Sequence, residues 1–431
     1  MRTVLQFGLM SFCLFYLIET SVFDWAFFEF FGSENCTSRG PLSPVIFIPG
    51  LGGSKLQAKL NKTTGPMRCA RESDYFDIWV NVLQLIFSIP CWVDNMKLVY
   101  DNVTHKAKNT PGVELRFPDW RDADAVKWVT RNEKGFFDDI ANALAKCGYS
   151  EGKNVFAAPY DFRKGPKENT DWFDRMQQLT EYAYENNNHV RITYIAHSMG
   201  GRMLLYFLQQ MPQTWKDKYV KRFIAMSVPW GGSIQSIMAM SIGYNPFPPF
   251  LFPANDHMKT IQETFSSLAW LLPSDDFWAP TEVLAVISGK NYTLENIDEF
   301  FYDIGLPNVV EMRKDQSVYS NAAEPGVEMH CLFGSNADST VERLEFSNSF
   351  DQNPATFFGN GDEYVNQRSL AGCNRWFSHK MDAQKNKIYQ KEFSGLDHVT
   401  ILDNSAPINY IVETLTNVND ESKTLENNIQ N

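Results

Sequence analysis

Short runs of β-branched and aromatic residues recur along this chain, and longer segments with helical spacing of apolar residues separate them. The runs predict buried strands and the spaced segments predict helices. The predicted strands cover residues 45–48, 154–158, 190–195, 223–226, 327–333 and 387–389, and the predicted helices cover 136–146, 170–186 and 202–211. Strands that alternate with helices favour an α/β fold, a mostly parallel sheet with helices on both faces.

Two segments break this alternation. Residues 77–92 (DIWVNVLQLIFSIPCW) are apolar almost throughout, yet the segment is too short to span a bilayer. Its apolar residues would cover both sides of a helix, so we expect one face to contact a membrane; a fully buried helix is the alternative. Residues 230–323 are rich in proline, phenylalanine and tryptophan, which predicts an insertion or cap.

The two ends of the chain have their own patterns. Met1-Arg2 precedes an apolar run from Val4 to Ile18, which predicts a signal peptide within residues 1–31, with an uncleaved anchor as the alternative. Residues 417–431 are polar and predict a frayed tail. Four Asn-X-Thr sequons fit a secretory route with surface glycans. Their acceptors are Asn35, Asn61, Asn102 and Asn291.

Charge and cysteine content narrow the possible partners. The net charge is −12 and no long Lys/Arg run occurs, which argues against nucleic acid. Any membrane contact would depend on apolar insertion rather than on attraction to anionic lipid. The seven cysteines form no CxxC motif or Cys/His cluster, so we expect no metal site and no cofactor.

One serine stands at a predicted strand-to-helix turn. In the segment YIAHSMGG, Ser198 lies between the apolar run that ends at Ile195 and the glycines Gly200 and Gly201. This is the context of a nucleophile elbow, although Ala196 replaces the first glycine of the usual G-x-S-x-G pattern. A turn in which the serine is incidental is the alternative.

A serine nucleophile needs a histidine base, and hydrolases of this type place it after the acid in the chain. His398 follows the last predicted strand in a short turn, which is the position of the base. His257 lies in the irregular insertion, His330 lies inside a predicted strand as a packed core residue, and His379 is expected at the surface.

The acid that orients the histidine should follow the preceding strand. Asp338, Asp351 and Asp362 are available, and Asp362 is favoured because flanking glycines suit a tight turn that presents a carboxylate. A turn aspartate that bonds its own backbone is the alternative. Asp362 and His398 together would hold one imidazole tautomer ready to accept the Ser198 proton.

The negative oxygen that forms during acyl transfer needs backbone donors. We expect one from Met199, directly after the nucleophile, and one from Leu51 in the glycine-rich loop 49–54. That loop matches neither the P-loop pattern nor a complete dinucleotide-binding pattern, so nucleotide binding is disfavoured.

These residues belong to longer motifs. They include PVIFIPGLGGSKLQAKL, IWVN, PCWVDN, APYDFR, AHSMGG, LYFLQQMPQTWKDKYV, PWGGS, LAWLLPS, NYT, HCLFG, GNGDEYVN and DHV. From about residue 40 to 410, the chain resembles the lecithin:cholesterol acyltransferase family, especially its lysosomal phospholipase A2 (group XV) branch. The resemblance implies an α/β-hydrolase fold with a lipid-binding subdomain and a cap. It also implies an acyl-serine formed from phospholipid, whose acyl group passes to water or an alcohol.

The chain departs from the family pattern in two places. The acid loop usually reads D-G-D followed by a small residue, whereas here it is Asn360-Gly361-Asp362-Glu363-Tyr364, which is bulkier. Leu51 stands where the lysosomal branch carries aspartate and the plasma branch carries cysteine. No polar feature of the sequence identifies a sterol acceptor.

The resemblance also implies two disulfides, Cys69–Cys91 and Cys331–Cys373. Composition alone permits fifteen pairings of the six cysteines beyond the signal region. The first bond would close a loop of about 20 residues around the apolar segment and stabilise the fold by roughly 3 kcal/mol. Cys36 and Cys147 are left over, and we expect Cys147 to be a small buried residue in a helix.

We therefore expect a glycoprotein of the secretory pathway, lysosomal or extracellular, that acts as a monomer with phospholipase A and O-acyltransferase activity. A phospholipid membrane or lipoprotein surface is the expected partner, with a lipophilic alcohol as a further acyl acceptor. A sterol or diacylglycerol acyltransferase and a catalytically silent lipid-binding protein are the alternatives.

The expected membrane-contacting residues are Trp79, Leu83, Leu85, Ile86 and Phe87. The expected regions are a signal peptide (1–31), three parts of the hydrolase core (40–68, 101–229 and 324–416), a membrane-binding subdomain (69–100), a cap (230–323) and a tail (417–431).

Overall fold

The computed structural model describes residues 40–79, 88–118, 120, 136–245, 255–320, 323–350, 352–376 and 387–416. The predicted signal peptide, the polar tail, Asn35, Cys36 and His379 lie outside the described residues. So do four of the predicted membrane-contacting residues, Leu83, Leu85, Ile86 and Phe87. Within the described ranges, none of the helices combines the length and the apolar character needed to cross a bilayer.

The described elements follow one another along the chain as follows. The strands are β1 (Val45–Ile48), β2 (Leu56–Asn61), β3 (Glu72–Trp79), β4 (Leu98–Asp101), β5 (Lys106–Asn109), β6 (Val113–Arg116), β7 (Val155–Ala157), β8 (Ile192–His197), β9 (Val220–Met226), β10 (Val283–Ile287), β11 (Lys290–Thr293), β12 (Glu328–Phe346), β13 (Ala355–Gly361) and β14 (Ile388–Ser394). The helices are α1 (Ile89–Met96), α2 (Asp138–Lys146), α3 (Thr170–Glu185), α4 (Met199–Gln210), α5 (Gln213–Tyr219), α6 (Gln235–Ile242), α7 (Asn255–Gln262), α8 (Ser266–Trp270), α9 (Ile297–Asp303), α10 (Pro307–Ser317), α11 (Gln367–Leu370) and α12 (Ser405–Thr416). Two 3₁₀ turns cover Ala371–Trp376 and Thr400–Leu402.

Nine of the described strands form one sheet, in the order β11-β10-β12-β9-β8-β1-β7, with β13 and β14 also paired to β12. All of the pairs are parallel except β10 with β11 and β12 with β13. The long strand β12 joins β9 and β14 near its start and β10 and β13 near its end. The mostly parallel sheet predicted from the sequence is confirmed.

Helices cover both faces of this sheet, as the apolar runs require. In β1, Ile46 and Ile48 pack on the face covered by α3 and α4. Val45 and Phe47 point to the opposite face and pack against α2 and α12. A strand buried on both faces carries continuous apolar residues, and this explains why the pattern VIFI does not alternate with polar residues.

A second, smaller sheet combines β2, β3 and β6 in antiparallel pairs. The described residues at the two ends of the apolar segment 77–92 belong to the end of β3 and to the start of α1, so the expectation of one helix over the segment is wrong for residues 77–79. Trp79 is only 7% exposed, and Trp92 is fully buried against it with ring centroids 6.3 Å apart. Trp79 is therefore a core residue and not a membrane anchor.

The cysteines agree only partly with the predicted pairings. The disulfide Cys69–Cys91 is present. Cys331 and Cys373 are buried free thiols, so the second predicted disulfide is wrong. Burial, followed by a hydrogen bond with Cys373, raises the pKa of the Cys331 thiol, and a protonated buried thiol oxidises slowly. Cys147 directly follows α2 and is buried, as predicted, and it is disulfide-bonded, although the two implied pairings left it over.

Candidate active site

The predicted elbow lies at the carboxyl end of β8. His197 ends the strand, Met199 begins α4, and Ser198 between them has φ 53° and ψ −131°, which is strained for a residue with a side chain. The turn is tight enough to require its glycines. A Cβ on Gly200 would lie 2.3 Å from the Pro49 carbonyl oxygen, and one on Gly201 would lie 2.2 Å from the Val228 side chain. The chain therefore holds the serine in a nucleophile elbow.

The three residues predicted to form a triad meet at this elbow. His398 Nε2 lies 2.9 Å from Ser198 Oγ, and His398 Nδ1 lies 2.7 Å from Asp362 Oδ2. Asp362 follows β13, and His398 lies in the loop after β14. Their exposed fractions are 8% for Ser198, 0% for Asp362 and 6% for His398. Residues up to 200 positions apart thus form one buried, hydrogen-bonded chain.

The backbone fixes the carboxylate relative to the imidazole. Asp362 Oδ1 accepts hydrogen bonds from the amides of Val365, at 2.8 Å, and Tyr364, at 3.3 Å. The His398 amide donates to the Asp362 carbonyl at 2.9 Å. Because the carboxylate can only accept, Nδ1 of His398 must carry the proton and Nε2 is left to accept the serine proton.

The glycine-rich loop after β1 lies against the nucleophile. A Cβ added to Gly50 would lie 2.7 Å from Ser198 Cβ and 3.2 Å from Oγ. Leu51 is partly buried against the core. Met199 is the first residue of α4, where an amide has no partner within its own helix. The loop and the helix start thus flank the position where an acyl oxygen would lie.

Two aromatic side chains donate hydrogen bonds to backbone carbonyls of the glycine-rich loop. The Trp79 indole donates to the Gly52 carbonyl at 2.6 Å, and a Cβ on Gly52 would lie 3.3 Å from the same ring. The Tyr160 hydroxyl donates to the Pro49 carbonyl at 2.9 Å. The side chain of Trp79 therefore helps to position the loop that carries Leu51 and does not contact a membrane.

The sequence did not single out His197, which contacts the base directly. It is 1% exposed, its Nε2 donates to the His398 carbonyl at 2.9 Å, and the two ring centroids are 4.8 Å apart. Burial, followed by the charge of His398, lowers the pKa of His197 well below its ordinary value, so this imidazole stays neutral and donates from one nitrogen. Its position directly before the nucleophile was the available signal.

The remaining candidates lie elsewhere. His330 is buried in β12, as predicted, and binds Tyr410 and Glu328 rather than the serine. His257 lies in α7. Asp338 is exposed in β12, while Asp351 lies outside the described residues.

The predicted glycan acceptors that the structure describes, Asn61, Asn102 and Asn291, are all exposed, as a glycan requires. Across the described parts of the chain, His, Cys, Asp and Glu side chains form no group of three or more that could hold a metal ion.

Comparison with known proteins identifies relatives along most of the chain. The family model described as lecithin:cholesterol acyltransferase matches residues 75–322. The lysosomal phospholipase A and acyltransferase of Rattus norvegicus is 34% identical over 379 residues, 86% of this chain and 90% of the relative. The protein of the same name from Homo sapiens is 32% identical, with the same coverage. The phosphatidylcholine-sterol acyltransferase of Gallus gallus is 31% identical over 411 residues, 93% of this chain and 97% of the relative.

Proposed function

The chain belongs to the lecithin:cholesterol acyltransferase family, and on that premise we propose that it is a serine-dependent phospholipase A and O-acyltransferase. It takes an acyl chain from a glycerophospholipid onto Ser198 and passes it to water or to a lipophilic alcohol. The observation that carries this proposal is the buried hydrogen-bonded chain from Ser198 through His398 to Asp362 at a strained elbow. A protein that only bound lipid would need none of these three residues.

Acylation uses the geometry directly. His398 Nε2 accepts the proton of Ser198 as Oγ attacks the ester carbonyl of the phospholipid. Asp362 stabilises the imidazolium through Nδ1, and the amides of Leu51 and Met199 donate to the negative oxygen of the tetrahedral intermediate. His398 then gives its proton to the departing lysophospholipid oxygen, which leaves the acyl chain on Ser198.

Deacylation repeats these steps with an acceptor in place of the serine. Water or an alcohol gives its proton to His398 Nε2 and attacks the acyl carbonyl. The proton then returns to Ser198 Oγ as the ester bond to the enzyme breaks. Water yields a free fatty acid and an alcohol yields a new ester, so one acyl-enzyme supports both activities.

Contact with the lipid surface is assigned to the segment that follows β3. The residues of this proposal are Leu83, Leu85, Ile86 and Phe87, without Trp79. The disulfide Cys69–Cys91 joins the described residues before and after this segment, and Met67, two residues before Cys69, is 89% exposed. An exposed apolar side chain close to this disulfide favours contact with a lipid surface.

The relatives favour one alternative and a location. One relative is a phosphatidylcholine-sterol acyltransferase, which supports the alternative that a sterol is the acyl acceptor. Other relatives are lysosomal phospholipases, which favour a lysosomal or extracellular location that the protein reaches through the secretory pathway. We expect a monomer.

Purified protein incubated with phosphatidylcholine vesicles, with and without a long-chain alcohol, tests the proposal. We expect free fatty acid and lysophospholipid in both cases, and an acyl ester when alcohol is present. Ser198→Ala should yield none of these products. Vesicles that contain cholesterol separate the alternatives, because a preference for steryl ester over alkyl ester would favour the sterol acyltransferase. Intact phospholipid with the wild-type protein would exclude the proposed activity.

Lipid contact has its own measurement. Replacing Leu85 and Phe87 by serine should weaken binding to liposomes and spare cleavage of a soluble ester, because neither residue belongs to the triad or to the backbone donors for the acyl oxygen. Equal losses on both substrates would assign the two residues to packing instead.

A further inference from the structure

The imidazole of His398 is enclosed by aromatic rings as well as by its hydrogen bonds. The ring of Tyr364 stacks on it with centroids 5.0 Å apart and planes 23° apart. The ring of His197 lies 4.8 Å away at 52°. With one nitrogen bonded to Asp362, the Nε2 edge that faces Ser198 is where an acceptor must bind. Tyr364 therefore lies against the imidazole that every acyl acceptor must reach.

The position of Tyr364 is fixed by its neighbours. The Ser233 hydroxyl donates to its carbonyl, and its own amide donates to Asp362. Its phenol is hydrogen-bonded to the phenol of Tyr244, and these two rings meet edge to face at 5.5 Å. The two backbone bonds hold the main chain of Tyr364, and turning its ring away from the imidazole would break the hydrogen bond and the edge-to-face contact with Tyr244.

Tyr244 is held in turn at its backbone. The side chain of Gln262 accepts from the Tyr244 amide and donates to its carbonyl, both at 2.9 Å. Gln262 is itself buried at the end of α7. A paired amide of this kind replaces two backbone partners at once, so it fixes the backbone of Tyr244 and limits the movement of its phenol.

The two acceptors place different demands on this space. Water needs room for one oxygen next to Nε2. A lipophilic alcohol must place its hydroxyl at the same point and extend a carbon chain past the rings that surround the imidazole. We propose that Tyr364 is a specificity-determining residue that favours water over a long-chain alcohol as acceptor of the acyl group. This inference rests on the proposed function, because it concerns the second half of the same reaction.

The ratio of alkyl ester to free fatty acid, measured with phosphatidylcholine vesicles and dodecanol, tests this inference. Both products come from one acyl-enzyme, so the ratio does not depend on the amount of active protein or on the acylation rate. Tyr364→Ala should raise the ratio by about threefold or more, since it removes the ring. Tyr364→Phe keeps the ring and should stay within about twofold of the wild type.

The chain offers a matched control. Tyr389 stacks on His330 with centroids 4.7 Å apart and the same 23° between planes, and His330 bonds to Tyr410 and Glu328 instead of the serine. Tyr389→Ala therefore removes a tyrosine ring that stacks on a histidine at the same angle, and its product ratio should equal that of the wild type. A change as large as that of Tyr364→Ala would reveal a general packing effect and overturn the proposal.

The remaining outcomes are separable. An unchanged ratio in an active Tyr364→Ala protein overturns the role of Tyr364 and leaves the proposed function intact. Absence of both products from the wild-type protein overturns the proposed function itself. If Tyr364→Ala does not fold, Tyr364→Leu restores apolar bulk without the length of the phenol. The same rise in ratio is expected there, and an unchanged ratio overturns the inference.

Discussion

Two regions of this molecule contain a carboxylate, an imidazole and a hydroxyl in one hydrogen-bonded row. The first, the inner row, is Asp362–His398–Ser198, and the second, the outer row, is Glu328–His330–Tyr410, on the sheet face covered by α12. Both histidines are 6% exposed. Each also stacks on a tyrosine ring at 23°. The burial of the histidine, the ring stacked on it and the classes of its two partners are therefore the same in the two rows.

The differences lie in orientation and in what surrounds each row. His398 binds its carboxylate through Nδ1, whereas His330 binds Glu328 through Nε2 at 3.1 Å. Glu328 also pairs with Arg222 at 2.7 Å, so it serves as an ion-pair partner as well. The hydroxyl of the inner row belongs to a serine in a strained elbow beside the glycine-rich loop, while Tyr410 lies in a regular helix. The row becomes a reactive site only where the backbone presents a serine and donors for its substrate.

The largest effect should come from removing the inner row's own members. Ser198→Ala or His398→Ala should each lower turnover by about 10⁶-fold, and the double variant should lose no more, because the residues act as one unit. His330→Ala should leave turnover of the folded protein within about twofold of the wild type, since its row contacts no substrate. Initial rates on a soluble ester, corrected for the folded fraction, measure both. A deep loss in His330→Ala at unchanged folded fraction would break the distinction between the rows.

The inner row could be predicted from the sequence because its information is local and ordered. A strand, a turn and a helix surround Ser198 within a few residues, and the acid and base follow in a fixed chain order. His330 could be separated from His398 because it lies inside a strand rather than after one. Each of these arguments needs only the period of a segment and its neighbours.

Trp79 could not be predicted in this way. Two of its partners, the Gly52 carbonyl and the ring of Phe162, come from distant parts of the chain, and the third is the ring of Trp92 at the other end of the same segment. Its apolar run gives no signal for which residues enter a core and which contact lipid. The second disulfide could not be predicted reliably for a similar reason. Cys331 and Cys373 are neighbours in the fold, but they are not bonded to each other.

The carboxylates of the two rows provide the next largest contrast. Asp362→Asn would present an amide where His398 Nδ1–H needs an acceptor, which favours the wrong tautomer, and turnover should fall by about 10⁴-fold. Glu328→Gln should change turnover by less than about twofold and instead lower the melting temperature, because buried Arg222 loses its charged partner. Rates and melting curves for the two variants check this together. A rate loss in Glu328→Gln comparable to that in Asp362→Asn would contradict it.

The smallest expected effect concerns acid, and it depends on a feature of the inner row alone. The rings beside His330 are those of tyrosines, whereas His398 also lies beside a second imidazole, that of His197. Burial and the charge of His398 lower the pKa of His197, while an unfolded histidine takes up a proton near pH ~6.5. Below that pH, His197 binds a proton in the unfolded state but not in the folded state. The free energy of unfolding therefore decreases as the pH falls from this value towards the lower pKa of His197 in the folded state. The slope reaches about 1.4 kcal/mol per pH unit for this one group.

His197→Gln keeps a donor for the His398 carbonyl and cannot titrate, so its free energy of unfolding should fall less than that of the wild type as the pH is lowered from neutral to mildly acidic. Denaturant unfolding at several pH values measures the difference, in which other titrating groups cancel, and parallel curves for the two proteins would exclude His197 as the source.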